Sequence, residues 1–155
     1  MSKHWLALLV AGFLLMTFSK KTNRSPRGIR NHNPGNIREN ENVDYEWQGE
    51  RLLDTDADFE EFQTPQYGIR AIARILASYN RRGVNTISRI IATWAPPVEN
   101  DTQSYISSVV DAVGLDADDI VFEYHWPQLI AAMIYHENGQ QPYSLNTIQE
   151  GIDLA

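Results

Sequence analysis

Residues 65–83, PQYGIRAIARILASYNRRG, predict an amphipathic helix that supplies one face of a hydrophobic core. The apolar side chains recur at i, i+3, i+4 and i+7, a spacing that aligns them on one side of a helix. These side chains are Ile72, Ile75, Leu76 and Tyr79. Pro65 suits the first turn, where its missing N–H costs nothing, and Gly83 favours termination. We expect the remaining elements to pack around this helix.

Four more helices are predicted downstream from caps, breakers and apolar periodicity. We expect them over Ile87–Trp94 after the cap Thr86, from a cap at Asp101 or Thr102 to Gly114, from Pro127 to Glu137-Asn138-Gly139, and over Leu145–Leu154 after the cap Ser144. Residues 39–61 are acidic and poor in apolar anchors, which indicates an irregular arm pinned by Trp47 with at most one short strand. The sequence therefore predicts an all-α or α-rich fold.

Charge divides the chain into a basic arm and an acidic body. Residues 1–38 hold seven basic and no acidic side chains, whereas residues 39–155 hold six arginines and all 20 acids, a net charge of −14. Such a body is unsuited to nucleic acid, which requires clustered positive charge. The chain has no cysteine, which excludes disulfides, thiolate metal ligands and a cysteine nucleophile.

The uncharged run Trp5–Phe18, WLALLVAGFLLMTF, predicts an N-terminal membrane helix. Its 14 residues would extend only about 21 Å, against the ~30 Å of a hydrocarbon core. Three alternatives stay open: a short transmembrane anchor, a cleaved secretory signal, or a weakly inserted signal-anchor. The flanking lysines Lys3, Lys20 and Lys21 suit lipid headgroups at either interface. We therefore predict a partner bilayer, either a host inner membrane with the body on its periplasmic face or a virion membrane.

The predicted domain organisation has three parts. Residues 1–19 are the anchor or uncleaved signal-anchor, residues 20–26 a polar linker, and residues 27–155 a helical domain. The domain opens on Arg27–Arg38, RGIRNHNPGNIR, in which Asn, Gly and Pro favour turns over regular structure.

The stretch Arg27–Arg38 resembles the opening of a family of small phage and prophage proteins, known as virion structural or endolysin-like proteins. The likeness continues through WQG at 47–49, Phe59 and Phe62, YGIRA at 67–71, WAPPVENDT at 94–102 and HENG at 136–139. At positions 31–33 the usual sequence in that family is Asn-Asn-Asn, and His32 departs from it. The resemblance covers nearly all of residues 27–155 and excludes the run at 5–18. It implies a role in crossing the cell wall during infection or lysis, but it assigns no active site.

Glu137 is the leading candidate for a catalytic acid. Glycan cleavage needs a carboxylic acid near the glycosidic oxygen, and one carboxyl group can serve as acid and then base. Glu137 follows an apolar helix and precedes a polar loop, Asn138–Tyr143. The lysozyme and lytic transglycosylase superfamily places its acid in a similar context, so the resemblance implies a small lysozyme-like domain. The hypothesis requires Glu137 to lie close to the loop Asn33–Asn36.

Glu99 is the second catalytic candidate, although its position before Asp101 also suits helix capping. Glu60 and Glu61 lie in an acidic run, which favours a solvated face for both. The histidines show no metal-binding spacing, and no nucleophile-elbow or phosphate-loop pattern occurs. We therefore predict neither a metal nor a cofactor.

Amides and aromatic rings are the candidate substrate-binding groups. Amides suit the acetamido and hydroxyl groups of aminosugars, and rings can stack on sugars. The candidates are Asn31, Asn33, Asn36, Trp47, Trp94 and Tyr143. Each has an ordinary alternative role, in turns for the asparagines and in packing for the rings.

Two classes of function remain open from the sequence. The first is a muramidase or lytic transglycosylase that cleaves the MurNAc–GlcNAc strands of bacterial peptidoglycan. The second is a non-catalytic, membrane-anchored virion structural or peptidoglycan-binding protein, with other virion or lysis proteins as further partners. Asparagines, aromatic rings and a basic anchor are compatible with both classes.

Overall fold

The computed structural model describes residues 25–40, 45–53, 55–98 and 100–155. Six α-helices lie in these ranges: α1 (Arg27–Arg30), α2 (Pro65–Arg81), α3 (Ile87–Trp94), α4 (Thr102–Val113), α5 (Trp126–Asn138) and α6 (Leu145–Asp153). A single 3-10 turn, Glu123–His125, leads into α5. The predicted all-α fold is confirmed for these ranges, because their extended pairing is limited to isolated bridges.

The predicted caps account for where three helices begin. The Thr86 hydroxyl accepts a hydrogen bond from Arg89 N, Asp101 Oδ1 accepts one from Ser104 N, and Ser144 Oγ accepts one from Thr147 N. Each cap satisfies a backbone donor that has no partner inside its helix, a contribution of about 1 kcal/mol. The short helix α1 was not predicted, because Arg27–Arg30 were assigned to a loop.

The core forms where α2 packs on α6 and where α5 packs on both α4 and α6. Helix α3 completes it by packing on α4. Every helix longer than one turn contributes fully buried side chains; examples are Ile72, Ile87, Ile91, Val109, Leu129, Met133 and Ile148. Gly151 permits the α2–α6 approach, since a Cβ there would lie 2.6 Å from the Ile69 Cβ.

The described residues between α1 and α2 pair with one another through backbone hydrogen bonds. Isolated antiparallel bridges join Arg38 to Phe59 and Glu50 to Phe62, and Phe62 is fully buried. Phe62 N also donates to Asn31 O at 2.8 Å. The segment therefore returns on itself and holds the residues after α1 against the helices.

The predicted membrane run, Trp5–Phe18, lies outside the described residues. Within the described ranges, no helix is both long enough and apolar enough to cross a bilayer.

A prediction concerns Gly68, where α2 meets the loop after α1. A Cβ at Gly68 would overlap the carbonyl oxygen of His32 and approach Pro34 Cδ to 2.8 Å. We expect Gly68→Ala to lower the free energy of unfolding by about 3 kcal/mol, because neither backbone can yield freely. Urea denaturation measures the change.

The matched control is Gly83→Ala. Gly83 has φ +74° and open space around it, so only backbone strain of about 1 kcal/mol is added. If Gly68→Ala were no more destabilising than this control, the close packing of the loop on α2 would be contradicted.

Candidate active site

The turn at residues 31–37 is held in shape by the fully buried side chain of Asn33. Its Nδ2 donates to Ile37 O at 2.8 Å and to Glu60 O at 3.0 Å, and its Oδ1 accepts from Ile37 N at 3.0 Å. Asn36 has φ +48°, a left-handed conformation that asparagine tolerates better than most residues. This turn, with Asn36 at its tip, is called the motif loop below.

The motif loop docks on the C-terminal end of α5. Asn36 Nδ2 lies 3.2 Å from both the backbone oxygen and Oε2 of Glu137. Asn138 Nδ2 donates to Pro34 O at 2.8 Å. Residues about 100 positions apart in sequence therefore meet at one point.

The Glu137 carboxylate accepts hydrogen bonds from three separate elements. Trp94 Nε1 on α3 donates to Oε1 at 3.0 Å, and the Tyr105 hydroxyl on α4 donates to the same oxygen at 3.2 Å. The amide of Asn36 donates to Oε2. All three donors are neutral, and no ion pair to Glu137 exists within the part of the chain described. The carboxylate is thus fixed in direction without a positive charge beside it.

Tyr105 is suited to remain a neutral donor. It is 2% exposed, and its ring stacks on that of His136 with centroids 3.6 Å apart. Burial, and then the charge of Glu137, raises the pKa of Tyr105 well above its usual range. The hydroxyl therefore stays protonated at any physiological pH.

A cleft of about 420 Å³ opens in front of Glu137. Its size falls within the range of small-molecule sites. Its walls include three aromatic rings, two side-chain amides and one arginine. The lining residues are Gly35, Asn36, Ile37, Arg38, Phe59, Ile75, Tyr79, Trp94, Ala95, Pro96, Asn100 and Glu137.

Of the predicted site residues, Glu137, Asn36 and Trp94 lie together in this cleft. Glu99, the second catalytic candidate, lies outside the described residues, next in sequence to the cleft residue Asn100. The juxtaposition of Glu137 with the Asn33–Asn36 loop, which the hypothesis required, is present in the structure.

The other predicted binding residues have structural contacts away from the cleft lining. Asn31 is buried and its Nδ2 donates to Asp56 Oδ2 at 2.7 Å, while Asn33 shapes the motif loop. Trp47 Nε1 donates to Glu60 Oε1 at 3.1 Å. Tyr143 packs against the hydrophobic core with its hydroxyl oxygen shielded from solvent.

Four of the polar and aromatic cleft residues were not singled out as binding residues from the sequence: Arg38, Phe59, Tyr79 and Asn100. Tyr79 was assigned to the apolar face of the first predicted helix, and that assignment is confirmed. Its side chain packs against the core and also lines the cleft. A large ring at the end of an apolar stripe is the signal that could have indicated this dual position.

The predicted solvated face at Glu60 and Glu61 is wrong. These residues are only 4% and 3% exposed, because the acidic arm folds back over them. Glu61 accepts from Arg51 Nη1 at 2.6 Å and from the Thr55 hydroxyl at 2.9 Å. Burial, and then the charges of Glu39 and Glu50, raises the pKa of Glu60 to about 8.

A pH prediction follows for Glu60. Since folding raises its pKa from 4.5 to about 8, the folded protein holds this proton more tightly than the unfolded chain does. In chelator-treated buffer, the free energy of unfolding should therefore decline as pH rises from about 4.5 through about 8. Glu60→Gln cannot ionise and should show a shallower decline in urea denaturation.

The comparison variant is Glu46→Gln, which changes an exposed carboxylate of the same arm. It should retain the wild-type pH dependence. A Glu60→Gln stability curve parallel to that of the wild type at every pH would contradict the raised pKa of Glu60.

No protein-family model matches the chain. The sequence is similar to Protein P5 of Pseudoalteromonas phage PM2, at 41% identity over 151 residues. The match covers 97% of this chain and 94% of that protein, so the likeness extends through almost the full length of both.

Proposed function

The chain belongs to the family of Protein P5 of Pseudoalteromonas phage PM2. From the geometry of its cleft, we propose that it cleaves the glycan strands of bacterial peptidoglycan. Glu137 serves as general acid and base in this proposal. A single observation supports this proposal. The Glu137 carboxylate lies in a cleft of about 420 Å³, held by neutral donors from α3, α4 and the motif loop.

The three donors orient the carboxyl group in either protonation state. Indole and amide N–H groups can only donate, and they fit the carboxylate form. The Tyr105 hydroxyl can also accept a hydrogen bond, so it can rotate when Glu137 carries a proton. As acid, Glu137 gives that proton to the glycosidic oxygen, the C1–O bond breaks, and the electron pair leaves with the departing sugar.

A lytic transglycosylase needs only one carboxyl group at the cleaved bond, and Glu137 supplies one. Glu137 is the only acidic residue among the described residues that line the cleft. A two-carboxylate enzyme needs its second group within roughly 5–10 Å. In a transglycosylase the Glu137 carboxylate then takes a proton from the C6 hydroxyl of the muramyl sugar, whose oxygen bonds to C1. The product is a 1,6-anhydro sugar.

The cleft walls are chemically suited to aminosugars. Trp94, Tyr79 and Phe59 offer rings for the apolar faces of sugars, and Asn36 and Asn100 offer amides for acetamido groups. The lysozyme-like character of the domain is part of the same proposal. It rests on the position of the acid at the end of α5, beside a polar loop.

A non-catalytic glycan-binding role is the second candidate. It is favoured by the completeness of the Glu137 hydrogen bonds, since both carboxylate oxygens already have donors. A carboxylate that only joins α5 to the motif loop would have the same contacts. Binding and cleavage therefore have to be measured separately.

The proposed location is a membrane facing the peptidoglycan, through the apolar run Trp5–Phe18. A short anchor of this kind would keep the domain close to the wall during infection or lysis. Its orientation and any cleavage of the run belong to the proposal.

The test uses full-length protein in mild detergent with Gram-negative sacculi. The wild type should release soluble anhydromuropeptides, identified by chromatography and mass spectrometry. The rate of release by Glu137→Gln should be at least about 100-fold lower than that of the wild type, because general acid–base catalysis commonly contributes that much. It should still bind sacculi in a pelleting assay, since the amide preserves the shape of the site.

Glu46→Gln is the control with an exposed glutamate, and it should keep full activity. Reducing sugar ends in place of anhydro ends would identify a hydrolase. Full activity in Glu137→Gln would exclude the assigned residue. Pelleting by the wild type without any released product would establish the binding role instead.

A further inference from the structure

Three carboxylates outside the cleft converge at the base of the acidic arm. One oxygen from each of Glu39, Glu50 and Glu60 lies within 4.8 Å of the others. Backbone pairing brings them together, since Glu39 N donates to Asp58 O and Glu60 N donates to Ile37 O, both at 3.0 Å. The isolated bridge between Glu50 and Phe62 adds the third residue.

A second observation is that one buried oxygen of Glu60 lacks a hydrogen-bond donor. Glu60 is 4% exposed, and its Oε1 accepts from Trp47 Nε1 at 3.1 Å. Its Oε2 is shielded from solvent and has no hydrogen-bond donor. A buried carboxylate oxygen without a donor is costly unless a proton or a cation satisfies it.

Two arginines of this region, Arg51 and Arg27, are engaged with other acids. Arg51 pairs with Glu61, and Arg27 pairs with Asp56 and Asp58. Within the described ranges neither Glu50 nor Glu60 forms an ion pair. These two arginines therefore do not neutralise Glu50 or Glu60.

We propose that Glu39, Glu50 and Glu60 form a calcium-binding site. Carboxylate oxygens are the ligands that hard divalent cations prefer. Ca²⁺ accepts six to eight oxygens at about 2.3–2.6 Å in flexible geometries, whereas Mg²⁺ demands a near-ideal octahedron at about 2.0–2.1 Å. Three carboxylates from an irregular segment, with one oxygen of each within 4.8 Å of the others, therefore suit Ca²⁺ better, and water completes the coordination.

Calcium at this position would stabilise the motif loop through the backbone of Glu60. The backbone oxygen of Glu60 accepts a hydrogen bond from Asn33 Nδ2, and its N–H donates one to Ile37 O. Asn33 and Ile37 stand at the two ends of the turn that carries Asn36. Cation binding is therefore coupled to the loop that contacts Glu137. This inference does not depend on catalysis, because its readouts are binding and stability.

The test is calcium titration of the full-length protein after chelator treatment, by calorimetry and thermal unfolding. We expect one Ca²⁺ per chain and a Tm increase of roughly 3–8 °C at about ten times Kd. Mg²⁺ at the same concentration should raise Tm by less. Terbium replaces calcium as a luminescent probe, and Trp47, in contact with Glu60, should sensitise its emission.

Two variants remove ligands and one leaves them in place. Glu60→Gln and Glu39→Gln should each lose the calcium-dependent Tm increase and the terbium emission, while Glu46→Gln should keep both. Using both ligand variants guards against one failing to fold. Calcium binding that survives in both ligand variants, or no binding at millimolar Ca²⁺, would overturn the site. An equal response to Mg²⁺ would overturn the assignment to calcium.

Discussion

The hydrogen bonds between Asn36 and Glu137 are the contact on which the rest of the site depends. They join the motif loop to the end of α5, two segments separated by about 100 residues of sequence. The same carboxylate also accepts hydrogen bonds from Trp94 on α3 and Tyr105 on α4. One acidic side chain thus connects four parts of the chain, and its position is set by tertiary packing rather than by a local motif.

The helical part of this fold could be predicted from the sequence, since its signals are local. Apolar spacing gave α2, and Thr86, Asp101 and Ser144 cap their helices through side-chain hydrogen bonds to backbone donors within three residues. Glu137 could be singled out for a similar reason. It stands where an apolar helix meets a polar loop.

The acidic arm could not be predicted, because its structure depends on distant partners. Charge density indicated solvent for Glu60 and Glu61, yet backbone pairing with residues after α1 and the ion pair of Glu61 with Arg51 bury both. The prediction of no metal site considered histidine spacing and thiols. The proposed cation site draws its carboxylates from three positions in a folded arm, and such a set has no sequence spacing of that kind to detect.

In the proposed function, Glu137 faces a glycan substrate in the cleft. A crystal structure of Glu137→Gln with a bound peptidoglycan tetrasaccharide tests this placement most directly. We predict that a glycosidic oxygen lies about 3 Å from the side-chain amide of residue 137, within hydrogen-bonding reach. The sugar rings should contact Trp94 and Tyr79. A tetrasaccharide bound elsewhere on the surface, with the cleft occupied only by water, would contradict the account.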